Sequence, residues 1–145
     1  MKRLIFVLYI TLLPLTLFAE NDAKIVYRDS ILAVAERILS DTGRIFYLQK
    51  TAYCHQYLKY FAAALYEEAK LRKNLFYENE GAYYMAGYYD KKHDPDSLEY
   101  WVGQLKELAS QAGEYDYYLE RKAALSRALA SKRLIEKAVY VAKEV

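Results

Sequence analysis

The chain carries one cysteine, Cys54, so no intramolecular disulfide can brace it. Small secreted domains commonly rely on several such bridges, so these 145 residues must be held by their core, by self-association or by a partner. Cys54 falls in an apolar helical pattern and reads as a buried small hydrophobe. Five glycines and two prolines leave little room for the many tight turns of an all-β fold. Histidine is nearly absent too. His55 and His93 stand alone, and neither HExxH, CxxC nor CxxCH occurs, which argues against zinc, redox-dithiol and haem chemistry. Asp90 and His93 are spaced to share a helix face, but a di-metal helical site needs further carboxylate–histidine pairs. Cys54 and His55 are consecutive, and a helix turns consecutive side chains about 100° apart, which spoils a nucleophile–base pair. GxSxG and phosphate-loop motifs are missing. The carboxylates Glu67, Glu68, Glu78 and Glu80 show no catalytic spacing. The expectation is a protein without enzymatic activity, cofactor or metal.

What is present begins with a leader. Met1-Lys2-Arg3 is basic, Leu4 to Phe18 is apolar apart from Thr11, Pro14 and Thr16, and Ala19 precedes Glu20-Asn21-Asp22. This is the pattern of a signal peptide cleaved after Ala19. The apolar run of about 15 residues is shorter than the ~20 that span a bilayer. The expected organisation is a signal peptide over 1–19 and one helical domain over 20–145, with no membrane span after cleavage. Cleavage removes two of 21 basic residues, leaving 19 against 19 acidic ones. A neutral exported domain is a poor match for nucleic acid, whose phosphates demand an excess of positive charge.

The remaining sequence predicts an all-α fold of about five antiparallel helices, as a bundle or a short array of helical hairpins. The chain is 54% hydrophobic and 28% charged, the mixture that amphipathic helices require. Ile25, Ile31, Leu32, Ala35, Ile38 and Leu39 share one side of a first helix, 22–40, which Asp41-Thr42-Gly43 stops, with Gly43 as a left-handed cap. A long second helix, 44–77, carries the stripe Tyr47, Cys54, Leu58, Phe61, Leu65 and a second stripe of Tyr53, Tyr57 and Tyr60. Asn79-Glu80-Gly81 ends this region, and a short helix follows over 82–92. Asp94 then caps a helix over 95–112 with Pro95 in its first turn. There Leu98, Trp101, Val102, Leu105, Leu108 and Ala109 share a face, and Gly113 is the C-cap. The last segment, 114–145, is helical, and its apolar face changes direction near 130–132, which predicts a change of packing partner within one helix.

Tyrosine is the surplus residue, 17 of 145. Tyrosine serves at core edges, with the ring buried and the hydroxyl reaching a polar partner. It is also enriched where proteins bind one another. Tyr83, Tyr84, Tyr88 and Tyr89 crowd a short helix, with Tyr100 and Trp101 nearby. These six residues are the candidate partner-binding surface, because so short a helix cannot bury tyrosines all round its axis.

The stretch Ala82-Tyr83-Tyr84-Met85-Ala86-Gly87-Tyr88-Tyr89 pairs aromatic residues with a small Ala-Gly step. Asp94-Pro95-Asp96-Ser97-Leu98-Glu99-Tyr100-Trp101 follows as a turn and a second helix start. Together, Ala82 to Ala112 resembles one helix-turn-helix unit of the tetratricopeptide class. The resemblance implies a helical scaffold with a concave face that binds peptides or proteins.

The functional expectation is an exported protein-interaction module, an adaptor, chaperone or assembly factor of the cell envelope, periplasmic or extracellular. Its partner would be another envelope protein or itself. A self-assembling structural or adhesive protein, using the face of Tyr47–Tyr77, is one alternative; an envelope enzyme acting on wall material is another.

Overall fold

A computed structural model of the chain describes residues 25–26, 28–38, 40–54, 59–132 and 134–143. The expected signal peptide lies outside the described residues. All regular elements among the described residues are helical, and none of these helices is long and apolar enough to cross a membrane. The chain divides between Leu39 and Ser40. On the N-terminal side, residues 28–37 form helix α1, within the helix expected over 22–40.

The C-terminal unit contains α2 (Asp41–Cys54), α3 (Lys59–Leu71), α4 (Leu75–Lys91), α5 (Pro95–Ala112), α6 (Asp116–Ser131) and α7 (Ile135–Lys143). Among the described residues there are thus seven helical segments where five helices were expected. The all-α class holds, and the differences lie in where helices break.

Asp41-Thr42-Gly43 begins α2 and does not cap a preceding helix. Ser40 is the cap, its hydroxyl accepting from the Gly43 amide at 3.1 Å. Such a bond satisfies one of the donors a helix start leaves free.

The single helix expected over 44–77 is corrected to α2 and α3, which run antiparallel, followed by the first turn of α4. The Arg44 guanidinium lies 3.4 Å from Glu68 Oε1, whereas a straight helix would hold residues so spaced about 36 Å apart. Residues 55–58, including His55, Tyr57 and Leu58, are not among those described. Cys54 is exposed, contrary to its apolar sequence context.

The second break falls at 72–74, not at 79–81. The Asn74 amide donates to the Ala69 carbonyl (2.9 Å) and the Lys73 amide to the Lys70 carbonyl (3.1 Å). This is the Schellman pattern, with Lys73 at φ 55° in the position that glycine usually fills. Asn74 closes α3 and also caps α4 through the Tyr77 amide. The same turn recurs after α4. His93 takes φ 55°, its amide meets the Asp90 carbonyl, and the Asp94 amide meets the Tyr89 carbonyl. Asp94 then caps α5 by accepting from the Ser97 amide and hydroxyl, at 3.2 and 2.7 Å. These bonds hold its carboxyl below the usual range. After α6 the Leu134 amide again reaches back to the Leu129 carbonyl, at 3.0 Å.

Gly81 therefore sits inside α4, and its missing Cβ serves packing. A Cβ there would lie 2.7 Å from the Tyr66 backbone, so α3 and α4 meet backbone to backbone. Helix α5 spans the expected residues, with Leu98, Val102, Leu105, Leu108 and Ala109 buried and Gly113 left-handed at φ 74°. The last segment is two helices. α7 folds back on α6, where Ser126 donates to the Ala138 carbonyl at 3.0 Å. Its apolar face changes direction because the chain reverses.

The helices form the hairpins α2/α3, α4/α5 and α6/α7, and α4 also packs against α2, α3 and α6. Tyr66, Ala82, Ala86, Leu98, Leu105, Leu125, Leu129 and Ala138 belong to one buried cluster. Burying a leucine of this kind contributes about 1.5–3 kcal/mol.

Candidate functional site

The six aromatic residues singled out by the sequence separate into three groups. Trp101 and Tyr100 on α5 make the first, together with Tyr66 on α3, which was not among the six. Tyr66 is buried, and the Trp101 ring meets it edge-on at 5.1 Å between centroids. Tyr100 meets Trp101 edge-on at 5.3 Å and is 60% exposed. Edge-to-face contacts of this kind favour a fixed ring geometry. The Tyr66 hydroxyl donates to Gln104 Oε1 at 3.2 Å. Burial, with the charge of Glu78 added, pushes its pKa up to about 12. The result is an aromatic row that starts in the core and ends in solvent.

Tyr88 and Tyr89 form the second group, at the end of α4. Both are half-buried, and their rings meet edge-on at 5.1 Å. The Lys92 ammonium lies 5.7 Å from the Tyr88 ring centre. The left-handed His93 turn follows directly.

The third group lies where α4 faces α2 and α6. Tyr84 is buried at 6% exposure, and its hydroxyl donates to Glu80 Oε1 at 3.4 Å. Gln49 Nε2 on α2 donates to the same oxygen at 3.2 Å. Tyr83 packs on Tyr117 of α6, centroids 4.6 Å apart, and donates to Glu120 Oε1 at 2.8 Å. The Arg121 guanidinium stacks over Tyr83 at 4.0 Å, a cation–π contact. Gly87 makes room for it, since a Cβ there would fall 2.8 Å from the Arg121 Nη2. Burial raises the Tyr84 and Tyr117 hydroxyl pKa values, and the Glu80 charge raises both further. Burial also raises that of Tyr83, followed by its bond to Glu120.

Sequence reading missed the polar members of this third group. Asn79 and Glu80 are 3% and 6% exposed, and Asn79 Oδ1, Glu80 Oε2 and Arg121 Nε have no hydrogen-bond partner. A signal existed: Asn79 stands three and seven residues before the buried Ala82 and Ala86, so a polar side chain interrupts an apolar stripe. Beside it, where α4 meets the turn that joins α5 to α6, lies a cleft of about 460 Å³ lined by Asn79, Gly113, Glu114, Tyr115, Asp116 and Tyr117.

Comparison of the chain with models of known protein families, with characterised proteins and with solved structures finds no match.

Proposed function

We propose that this chain is an exported, non-enzymatic protein-interaction module, serving the cell envelope as an adaptor, chaperone or assembly factor. The observation that carries the reading is the row Tyr66–Trp101–Tyr100. A buried tyrosine and a half-buried tryptophan hold a third aromatic ring that is 60% exposed. Rings fixed in this way contribute contact area at little further entropic cost, and aromatic anchors of this kind dominate binding energy.

The tetratricopeptide resemblance belongs to the same reading. It is supported by consecutive helical hairpins and by the interval of 34 residues from Asp41 to Leu75, the first residues of α2 and α4, which is the ~34-residue period of that class; the next interval, Leu75 to Asp116, is longer at 41 residues. The helices α2, α4 and α6, which touch in succession, would then line its binding face.

The test is crosslinking in cells that express the full chain with a C-terminal tag, followed by affinity recovery and mass spectrometry. One envelope protein should be recovered, and Tyr88→Ala with Tyr100→Ala should abolish its recovery. Recovery of no protein at all contradicts the proposal.

The exposed Phe46 and Tyr53 on α2 and Tyr60 on α3 favour a second reading, self-assembly through these two helices in place of the one continuous face expected over Tyr47–Tyr77. Light scattering separates the two, because a stable monomer at high concentration counts against self-assembly.

A further inference from the structure

A second cleft, of about 200 Å³, opens between α5, α6 and α7. Tyr118, Lys122 and Leu125 follow one another on α6 at spacings of four and three, which puts them on one face of that helix. That face lines the cleft together with Val102 of α5 and Val141 of α7. Lys122 is the member that does not belong in an apolar wall. It is 5% exposed, as buried as the core residues around it. Lysine is almost never buried to that degree unless it is paired. Here no carboxylate or other hydrogen-bond acceptor among the described residues holds its ammonium. The Tyr118 ring centre lies 5.6 Å from Nζ, a cation–π contact that leaves the N–H donors without an oxygen to meet. Unlike Arg121 Nε, this nitrogen is not sealed from solvent, and the surface it keeps opens into the cleft.

The rest of the lining adds positive charge. Glu99 is the one carboxylate there, and Lys137 of α7 holds it in an ion pair. Lys106 stands at the exposed rim. The cleft therefore suits an anion, and its size and walls narrow the choice. At ~30 Å³ for each water-sized group, the volume of about 200 Å³ holds roughly seven of them. Inorganic phosphate would give up hydration against Val102, Leu125 and Val141 and gain nothing from them. A carboxylate on a short apolar chain uses both parts of the site. Its oxygens accept charge-assisted hydrogen bonds from the ammonium, and its carbons cover the apolar wall.

We propose that this cleft binds a carboxylate that carries a short apolar group, with Lys122 donating to the carboxylate and Val102, Leu125 and Val141 receiving the apolar part. A free organic acid and the C-terminal residue of a polypeptide both present this chemistry. The site is separate from the Tyr66–Trp101–Tyr100 row and does not rest on the protein-interaction reading.

The test uses isotope-labelled protein, purified after expression of the full chain, titrated with pentanoate and followed by amide chemical shifts. Pentanamide, pentylamine and inorganic phosphate are the comparisons. Pentanoate should shift the amides of Gly103, Lys122 and Val141, and the three comparisons should not. Lys122→Met keeps the length of the side chain and removes its charge, and it should weaken pentanoate binding by roughly tenfold or more. Gly103 also lines the cleft, and a Cβ there meets nothing within 4 Å. Gly103→Leu therefore leaves the fold intact, puts its side chain into the open space and should weaken binding as well. Any of three outcomes overturns the proposal: no shifts with pentanoate, equal binding of pentanamide or phosphate, or undiminished binding by folded Lys122→Met. If Lys122→Met does not fold, undiminished binding by Gly103→Leu overturns it instead. The peptide acetyl-Gly-Leu, compared as free acid and as amide, separates the two sources. Binding of its acid tighter than pentanoate assigns the site to a polypeptide C-terminus, and weaker binding assigns it to a free acid. Binding of its amide as tight as that of its acid counts against the proposal in either case.

Discussion

Gly81 lies so close to Tyr66 that a methyl group on it would sit 2.7 Å from the Tyr66 Cα and backbone nitrogen. This contact sets the approach of α3 to α4, and with it the ring of Tyr66 on which Trp101 and Tyr100 build outward. Gly81→Ala should therefore destabilise the protein by about 1–3 kcal/mol, the cost of overpacking a site whose neighbour is backbone. Gly103→Ala is the control of opposite sign. A Cβ at Gly103 meets nothing within 4 Å, so the substitution should add up to ~1 kcal/mol through helix propensity alone. Chemical denaturation of both variants measures the difference.

Lys73 and His93 occupy equivalent left-handed positions in two copies of one turn. A side chain in that conformation costs roughly 1–2 kcal/mol that glycine avoids, and glycine loses part of the advantage through its freer unfolded chain. Lys73→Gly and His93→Gly should each raise the melting temperature, by a few degrees at most for a chain of this size. The two effects should add, because the sites share no partner. A fall in melting temperature for both would contradict the turn geometry.

Alkaline titration should expose the buried tyrosines. The pKa of Tyr66 is raised from 10.0 to about 12, and those of Tyr83, Tyr84 and Tyr117 are raised as well. For a tyrosine raised in the folded state, the unfolded chain loses the proton first. The stability this provides is complete below pH 10 and is lost as pH climbs from about 10 towards 12. Denaturation at a series of pH values should show stability falling across that window. Tyr66→Phe should flatten the fall without abolishing it, because the other three tyrosines remain.

Cys54 is exposed, so a thiol reagent should label it stoichiometrically in the native protein without denaturant. Slow labelling that accelerates only on unfolding would contradict the structure.

The sequence was most legible where each local signal had one use. Asp94, Pro95 and Gly113 frame α5, and its apolar face is the buried face because cap, period and stop all agree. Glycine elsewhere misled. Gly43 and Gly81 read as stops because glycine commonly ends helices, yet one lies in a first turn and the other serves a close helix contact. The true stop at Lys73 carries no glycine, and the turn there depends on hydrogen bonds that residue type alone does not announce. Tertiary packing likewise decided the fate of the tyrosines. Tyr84 and Tyr100 looked equivalent in a list of aromatics, but Tyr84 is 6% exposed and Tyr100 60%. Only the helix-to-helix arrangement separates a ring that holds the core from one that can reach a partner.

The central claim is that the exposed end of the Tyr66–Trp101–Tyr100 row meets another protein. The most direct measurement places a photoreactive phenylalanine analogue at position 100 and, as control, at the exposed Gln111, then irradiates living cells. The claim predicts one discrete crosslinked envelope protein from position 100 and none from position 111. No adduct at either position, or the same ladder of adducts from both, would contradict it.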